Sequence, residues 1–172
     1  MVYDPALATD LDPRFSTMSL FNALAHTTAV LWAPQSEEQA DRAVRTVGRI
    51  LQGLEALADD PTSLHARALA AHAAFFAAGF LEEAPLLFHH RVAHALGGTF
   101  DAPHAAAHTA ALPYTLGYNG AALPRAMERL GPVLGDDPPA RLHDGKQLVL
   151  VRQYGVERRR VGGVERTRRV LP

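Results

Sequence analysis

The chain has 172 residues, 48% hydrophobic and 20% charged, with nine histidines, no cysteine and a formal net charge of −1. That length suffices for one domain with a core of its own, and without cysteine a disulfide framework and thiolate chemistry are excluded. No apolar run reaches the ~18 residues of a membrane span, and the opening Met1-Val2-Tyr3-Asp4-Pro5 has neither the signal-peptide nor the transit-peptide pattern, so a cytoplasmic protein is expected.

Helical signals dominate the first 130 residues. Ser16 to Trp32 reads as one apolar helix stopped by Pro34. Ser36 with Gln39 three residues later is a capping-box pattern. The helix it opens runs to about Ala58, with Val44, Val47, Leu51, Leu54 and Leu57 as its apolar stripe. Asp60-Pro61 restarts the chain, Asp60 as cap and Pro61 in the first turn. Leu64 to Phe80 is almost wholly apolar and is expected at the centre of the bundle, with His65 and His72 in structural roles. A fourth helix is expected over Pro85 to Leu96, ended by Gly97-Gly98 in the left-handed region. A fifth begins near Pro103 and is kinked or ended by Pro113. Tyr118-Asn119-Gly120 is a turn signal, and a sixth helix covers about Ala121 to Leu130.

After Gly131 the character changes. Gly135-Asp136-Asp137-Pro138-Pro139 is a breaker cluster, and Lys146 to Val151 suits a short strand. Glu157 to Arg169 is arginine-rich, broken by Gly162-Gly163 and without amphipathic period. Residues 1–140 hold eight arginines against fifteen acids, whereas residues 141–172 hold nine basic residues against three acids. The fold expected is all-α: an irregular helical bundle over residues 1–135, then a divergent, poorly ordered basic tail over 136–172. The tail lacks interleaved aromatics and a recognised binding fold, so nucleic acid is not an expected partner.

The chemistry concentrates in Phe88 to His108, with five of the nine histidines. His90 and His94 are four apart, as are His104 and His108, so each pair lies on one helix face. Asn22 and His26 repeat that spacing inside an apolar run. Imidazole suits both proton transfer near neutral pH and borderline metal ions. Equally informative are the missing motifs: no G-x-G-x-x-G, no P-loop and no G-x-S-x-G.

The order Tyr3-Asp4-Pro5, Asn22-Ala23-Leu24-Ala25-His26, His90 and His94 with Leu96-Gly97-Gly98, Pro103-His104 and Leu112-Pro113 resembles the iron-containing alcohol dehydrogenase superfamily, in particular its maleylacetate reductase branch. The resemblance covers about residues 2–130 and corresponds to the C-terminal helical domain alone, as a truncated or frameshifted gene would give. It implies a metal set at Asn22, His26, His90 and His104, with iron or zinc as the metal. An amide stands where metal-dependent members have an aspartate, a departure shared with the reductases, which implies work without metal. It further implies catalytic roles for His94, His90 and His104 and substrate contacts from His26, His108 and Asn22.

The implied reaction delivers hydride from NAD(P)H to the double bond conjugated to maleylacetate's ketone, giving 3-oxoadipate. The implied partners are a small dicarboxylate, a separately encoded nucleotide-binding domain and a second copy of the chain. The alternative is a non-catalytic helical remnant or partner module. Ser19-Leu20-Phe21 departs from the family's Ser-Gly at this point, and the added bulk is expected to disturb packing against a nucleotide-binding domain.

Overall fold

The computed structural model describes residues 3–82, 88–144, 156–161 and 164–169. Six helices account for most of it. α1 (Pro13–Ala29) is capped by Asp12, whose carboxylate accepts from Arg14 N–H at 2.7 Å, with Pro13 in the first turn. A 3-10 turn, Val30–Trp32, finishes it before Pro34. Inside α1, the Thr27 and Thr28 hydroxyls donate to the carbonyls of Ala23 and Leu24, both at 2.9 Å, so these buried groups are satisfied.

α2 (Glu37–Asp59) opens on the expected capping box: Gln39 N–H donates to Ser36 Oγ, and Ser36 N–H donates to Gln39 Oε1. Ala40, Ala43, Val47, Ile50, Leu54 and Leu57 recur at helical spacing and are buried, with Val44 and Leu51 partly buried beside them. α3 (Leu64–Ala78) is capped by Ser63 rather than Asp60; Asp60 instead holds the preceding turn by accepting from Thr62 and Ser63.

The expected central place for α3 is not what the fold adopts. Its buried residues are Ala66, Arg67, Ala73 and Ala77, while Leu64 and Phe75 are 55% and 47% exposed. Small residues let α3 lie close on α2, and its Ala66, Ala73 and Ala77 are all it adds to the shared core. A Cβ on Gly53 would stand 3.3 Å from Ala70 Cα and 3.2 Å from Leu20 Cδ1. Gly53→Val is therefore expected to cost about 1–3 kcal/mol, because backbone on one side cannot yield; chemical denaturation checks this. The buried Arg67 ties α3 to the start of the chain, donating to Ser16 Oγ at 2.5 Å and to the Leu11 carbonyl at 2.8 Å.

α4 spans Phe88–Phe100, so it runs through Gly97-Gly98 instead of stopping there. The chain reverses at Asp101, whose φ of 51° is left-handed, a conformation Asp tolerates better than most residues. The expected start of this helix near Pro85 lies outside the described residues. α5 (His104–Ala122) begins directly after Pro103, which is its cap and not a first-turn residue, and continues past Pro113.

The turn signal Tyr118-Asn119-Gly120 falls inside α5. Its glycine serves close approach: a Cβ on Gly120 would stand 2.7 Å from Met127 Sδ of α6 (Pro124–Leu134). Arg125 and Arg129 of α6 reach Glu37, and Arg129 also reaches Asp41, joining α6 to α2 at the surface.

α6 ends at Gly135, with φ 80°. Residues 138–144 are helical again, and Leu142, 2% exposed, joins the core of Phe21, Leu24, Leu57, Leu116 and Leu130. The expected division after residue 135 thus marks the end of α6 and not the end of the packing. The all-α class holds for this body. Within the basic tail, β1 (Val156–Val161) and β2 (Val164–Arg169) pair antiparallel, with Glu157 opposite Arg168 and Arg160 opposite Glu165. Two residues between extended runs is a hairpin spacing, which the reading of Gly162-Gly163 as a plain break overlooked. The strand expected over Lys146 to Val151 lies outside the described residues.

Candidate functional site

Three helices bring six imidazoles together. α1 supplies His26, one turn after Asn22; α4 supplies His89, His90 and His94; α5 supplies His104 and His108. Both α1 and α4 pack on α5. Ring centroids lie 4.3 Å apart for His26 and His90, 5.0 Å for His90 and His108, 4.4 Å for His104 and His108, and 5.6 Å for His94 and His104. His65 and His72 take no part: both are exposed on α3, and His72 meets the edge of Phe76.

The cluster has a floor and a rim. His89, His90 and His108 are buried, whereas His94 and His104 are exposed. At the floor a hydrogen-bonded chain links Thr115, His89 and His108. The Thr115 hydroxyl, on α5, lies 3.1 Å from both the Ala111 and Leu112 carbonyls and 2.7 Å from His89 Nδ1. His89 Nε2 in turn lies 2.9 Å from His108 Nδ1, the direction of both histidine bonds following the tautomers. His108 Nε2 is buried and has no hydrogen-bond partner.

His90 Nε2 lies 3.1 Å from His26 Nδ1 and 3.4 Å from His26 Nε2, leaving His90 Nδ1 and Asn22 Oδ1 buried without partners. Burial, and then the neighbouring imidazoles, push His108 down to about 3 and His89 and His90 to about 4. Burial and then His104 lower His26 too. No carboxylate contributes to these shifts, so the floor is neutral at pH 7 and is an accumulation of lone pairs and N–H donors.

Sequence reasoning found Asn22, His26, His90, His94, His104 and His108 but missed His89 and Thr115. Thr115 follows His108 by seven residues and so shares its face, but a lone threonine carries no motif. A separate cleft of about 450 Å³ is built from other residues, Trp32 to Glu37 and Leu123 to Arg129 among them, and its titratable Glu37, Arg125 and Arg129 are already paired.

Of the positions implied for a metal, Asn22 is neutral, and the ring nitrogens of His26 and His90 stand 3.1–3.4 Å apart, as two ligands of one ion also would. Among the described residues, the three donors that do gather, within 4.8 Å of one another, are His94, His104 and His108. Nor do the described residues contain a strand–glycine turn–helix unit that would cradle a dinucleotide's phosphates.

Three facing helices of one helical body thus pool their histidines at a single open cluster. The chain belongs to the Fe-containing alcohol dehydrogenase family: the model of that family's C-terminal part matches residues 16–150. Within the family it is similar to maleylacetate reductases. That of Sphingobium indicum is 40% identical over 144 residues, covering 81% of this chain and 40% of the relative. That of Pseudomonas knackmussii is 37% identical over 153 residues, covering 84% and 42%. The maleylacetate reductase structure from Rhizobium sp. strain MTP-10005 superposes with a TM-score of 0.79 at 30% identity, covering 86% of this chain and 42% of that one. An iron-containing alcohol dehydrogenase from Corynebacterium glutamicum gives 0.74 at 34%, also covering 86% and 42%.

The chain thus spans about 40% of the length of the curated relatives it matches. The family match also runs past residue 131, where the resemblance was expected to stop. Leu20 and Phe21, expected to disturb packing, are 3% and 2% exposed inside the chain's own core.

Proposed function

We propose that this chain forms the substrate-side half of a maleylacetate-reductase-like oxidoreductase acting on a small dicarboxylate. The observation that carries the reading is the exposed pair His94 and His104 above a floor of neutral imidazoles without a carboxylate. An anionic substrate meets N–H donors there and no like charge. The first turn of α5 adds backbone donors with no side-chain cap against them. NAD(P)H would supply the hydride, from a nucleotide-binding unit that the described residues do not contain. As hydride reaches the carbon–carbon double bond, negative charge collects on the ketone oxygen. His94, exposed at the rim, hydrogen-bonds that oxygen and delivers a proton, while His90, His104, His26, His108 and Asn22 orient the carboxylates and keto group.

The test joins the chain to the nucleotide-binding half of the Sphingobium indicum relative and follows NADH oxidation with maleylacetate. Turnover is expected from the joined protein and none from this chain alone, because hydride transfer needs donor and acceptor carbons held about 3–3.5 Å apart. Since Leu20 and Phe21 face inward, they are no obstacle to joining. His94→Ala should lower kcat by about 10²–10⁴-fold. Turnover indifferent to His94→Ala would refute the assigned role. A second reading is a helical remnant or partner module without catalysis. A well-folded joined protein that binds NADH and never turns over would establish it.

A further inference from the structure

We propose that the arginine-rich hairpin is a contact surface for double-stranded DNA, a two-stranded ribbon that lies in the major groove and meets phosphates with both faces. β1 and β2 each carry three arginines and one glutamate, so six positive charges stand against two negative ones. The register divides these charges evenly. Alternate residues of a strand share a face, so Arg158, Arg160 and Arg169 fall on one face and Arg159, Arg166 and Arg168 on the other. Arg159 stands directly opposite Arg166, a like-charge pair that disfavours the ribbon in water and that an anion between the two would relieve. Among the described residues no third strand joins the pair, so the ribbon has the width of two strands.

The major groove of B-form DNA admits a two-stranded ribbon, whereas that of duplex RNA is too narrow. Arginines two residues apart on one strand are separated by about 7 Å, or roughly one for every two phosphates of a DNA strand. Charge on both faces suits a groove walled by phosphates, whereas a flat anionic membrane would meet one face only. The ribbon also lacks the large apolar residues with which interfacial elements enter a bilayer, having only Val156, Val161 and Val164. The acidic body of the chain is a poorer partner, because Glu37, Asp41 and Glu55 already pair with Arg125, Arg129 and Arg141. With no Asn or Gln to read adenine, the ribbon contacts phosphate, and the binding is salt-dependent with little sequence preference. The proposal is independent of the reductase reading.

Fluorescence anisotropy of a labelled DNA duplex of about 20 base pairs, titrated with the full chain between about 50 and 200 mM NaCl, tests it. Binding in the micromolar range at the lowest salt is expected, with log affinity falling against log salt at a slope of about −3 to −5. Arg159→Gln with Arg166→Gln should weaken binding at least fivefold and make the slope shallower by about two. Val164→Pro with Thr167→Pro keeps every charge but breaks the pairing, since of two positions three apart one must donate into the ladder. That variant should also bind at least fivefold more weakly. Absence of duplex binding up to about 100 μM protein at the lowest salt would overturn the proposal. So would a proline variant that binds as well as the unsubstituted chain, which would assign the affinity to unpaired charge. Tighter binding to phosphatidylserine vesicles than to the duplex would overturn it in favour of a membrane.

Discussion

Acidifying the metal-free chain from pH 7 to pH 5 is expected to remove on the order of 4 kcal/mol of folding stability, a fall in Tm of about 8–16 °C. The cause is the buried floor. In the unfolded chain each imidazole titrates near its ordinary value of 6.5, but in the fold His89 and His90 titrate at about 4 and His108 at about 3. A lowered histidine pKa means that the unfolded state takes up protons first. The stability these groups contribute is therefore full above 6.5 and is lost as pH falls toward 4, at roughly 1.4 kcal/mol per pH unit for each proton by which the states differ. Below about 3 the folded state protonates too, and the slope levels.

The groups facing this floor are His26 from α1, His94 from the exposed end of α4 and His104 from α5, all imidazoles that only strengthen the mutual repulsion. Glu37 and Asp60, held low by Arg129 and by Thr62, lose their contributions only at more acidic pH, so the window from 7 to 5 belongs to histidine. His108→Gln keeps a donor for His89 without a titrating ring and should take away about a third of the slope. Thermal unfolding at half-unit pH steps measures both effects, and a Tm that is flat between pH 7 and 5 would sink the account.

Much of this was legible in the sequence, for a definite reason. The capping box at Ser36 and the stripe through Val47, Leu54 and Leu57 are signals whose partners lie within a few residues, so local chemistry decides them. The i, i+4 histidine pairs are of the same kind, since helix geometry alone aligns them. The errors arose where tertiary contact overruled a local signal. Gly97-Gly98 reads as a helix end, but Asp101 makes the turn and α4 keeps going. Gly120 reads as part of a turn, whereas its use is to admit Met127 of α6. The apolar α3 reads as central, yet only its alanines and Arg67 are buried. His89 and Thr115 escaped notice because their meaning is relational: each matters only through the partner that the packing of α4 on α5 supplies.

Restoring a carboxylate should show how much of the site's behaviour follows from a single charge. Asn22→Asp is expected to tighten zinc binding at least tenfold. The Oδ1 of Asn22 is already buried and without a partner, one helical turn before His26, so the anion would arrive where an acceptor already stands. A carboxylate within a few ångströms of a dication gains several kcal/mol at the effective dielectric of such sites, of which desolvation returns a part, and about 1.4 kcal/mol is tenfold in affinity. The new charge would also raise the pKa of His26, which burial and His104 now hold low. Competition titration against a chromophoric chelator reads the unsubstituted chain and the variant side by side. Equal or weaker affinity in the variant would mean that the charge at this position does not decide how the imidazoles hold a metal.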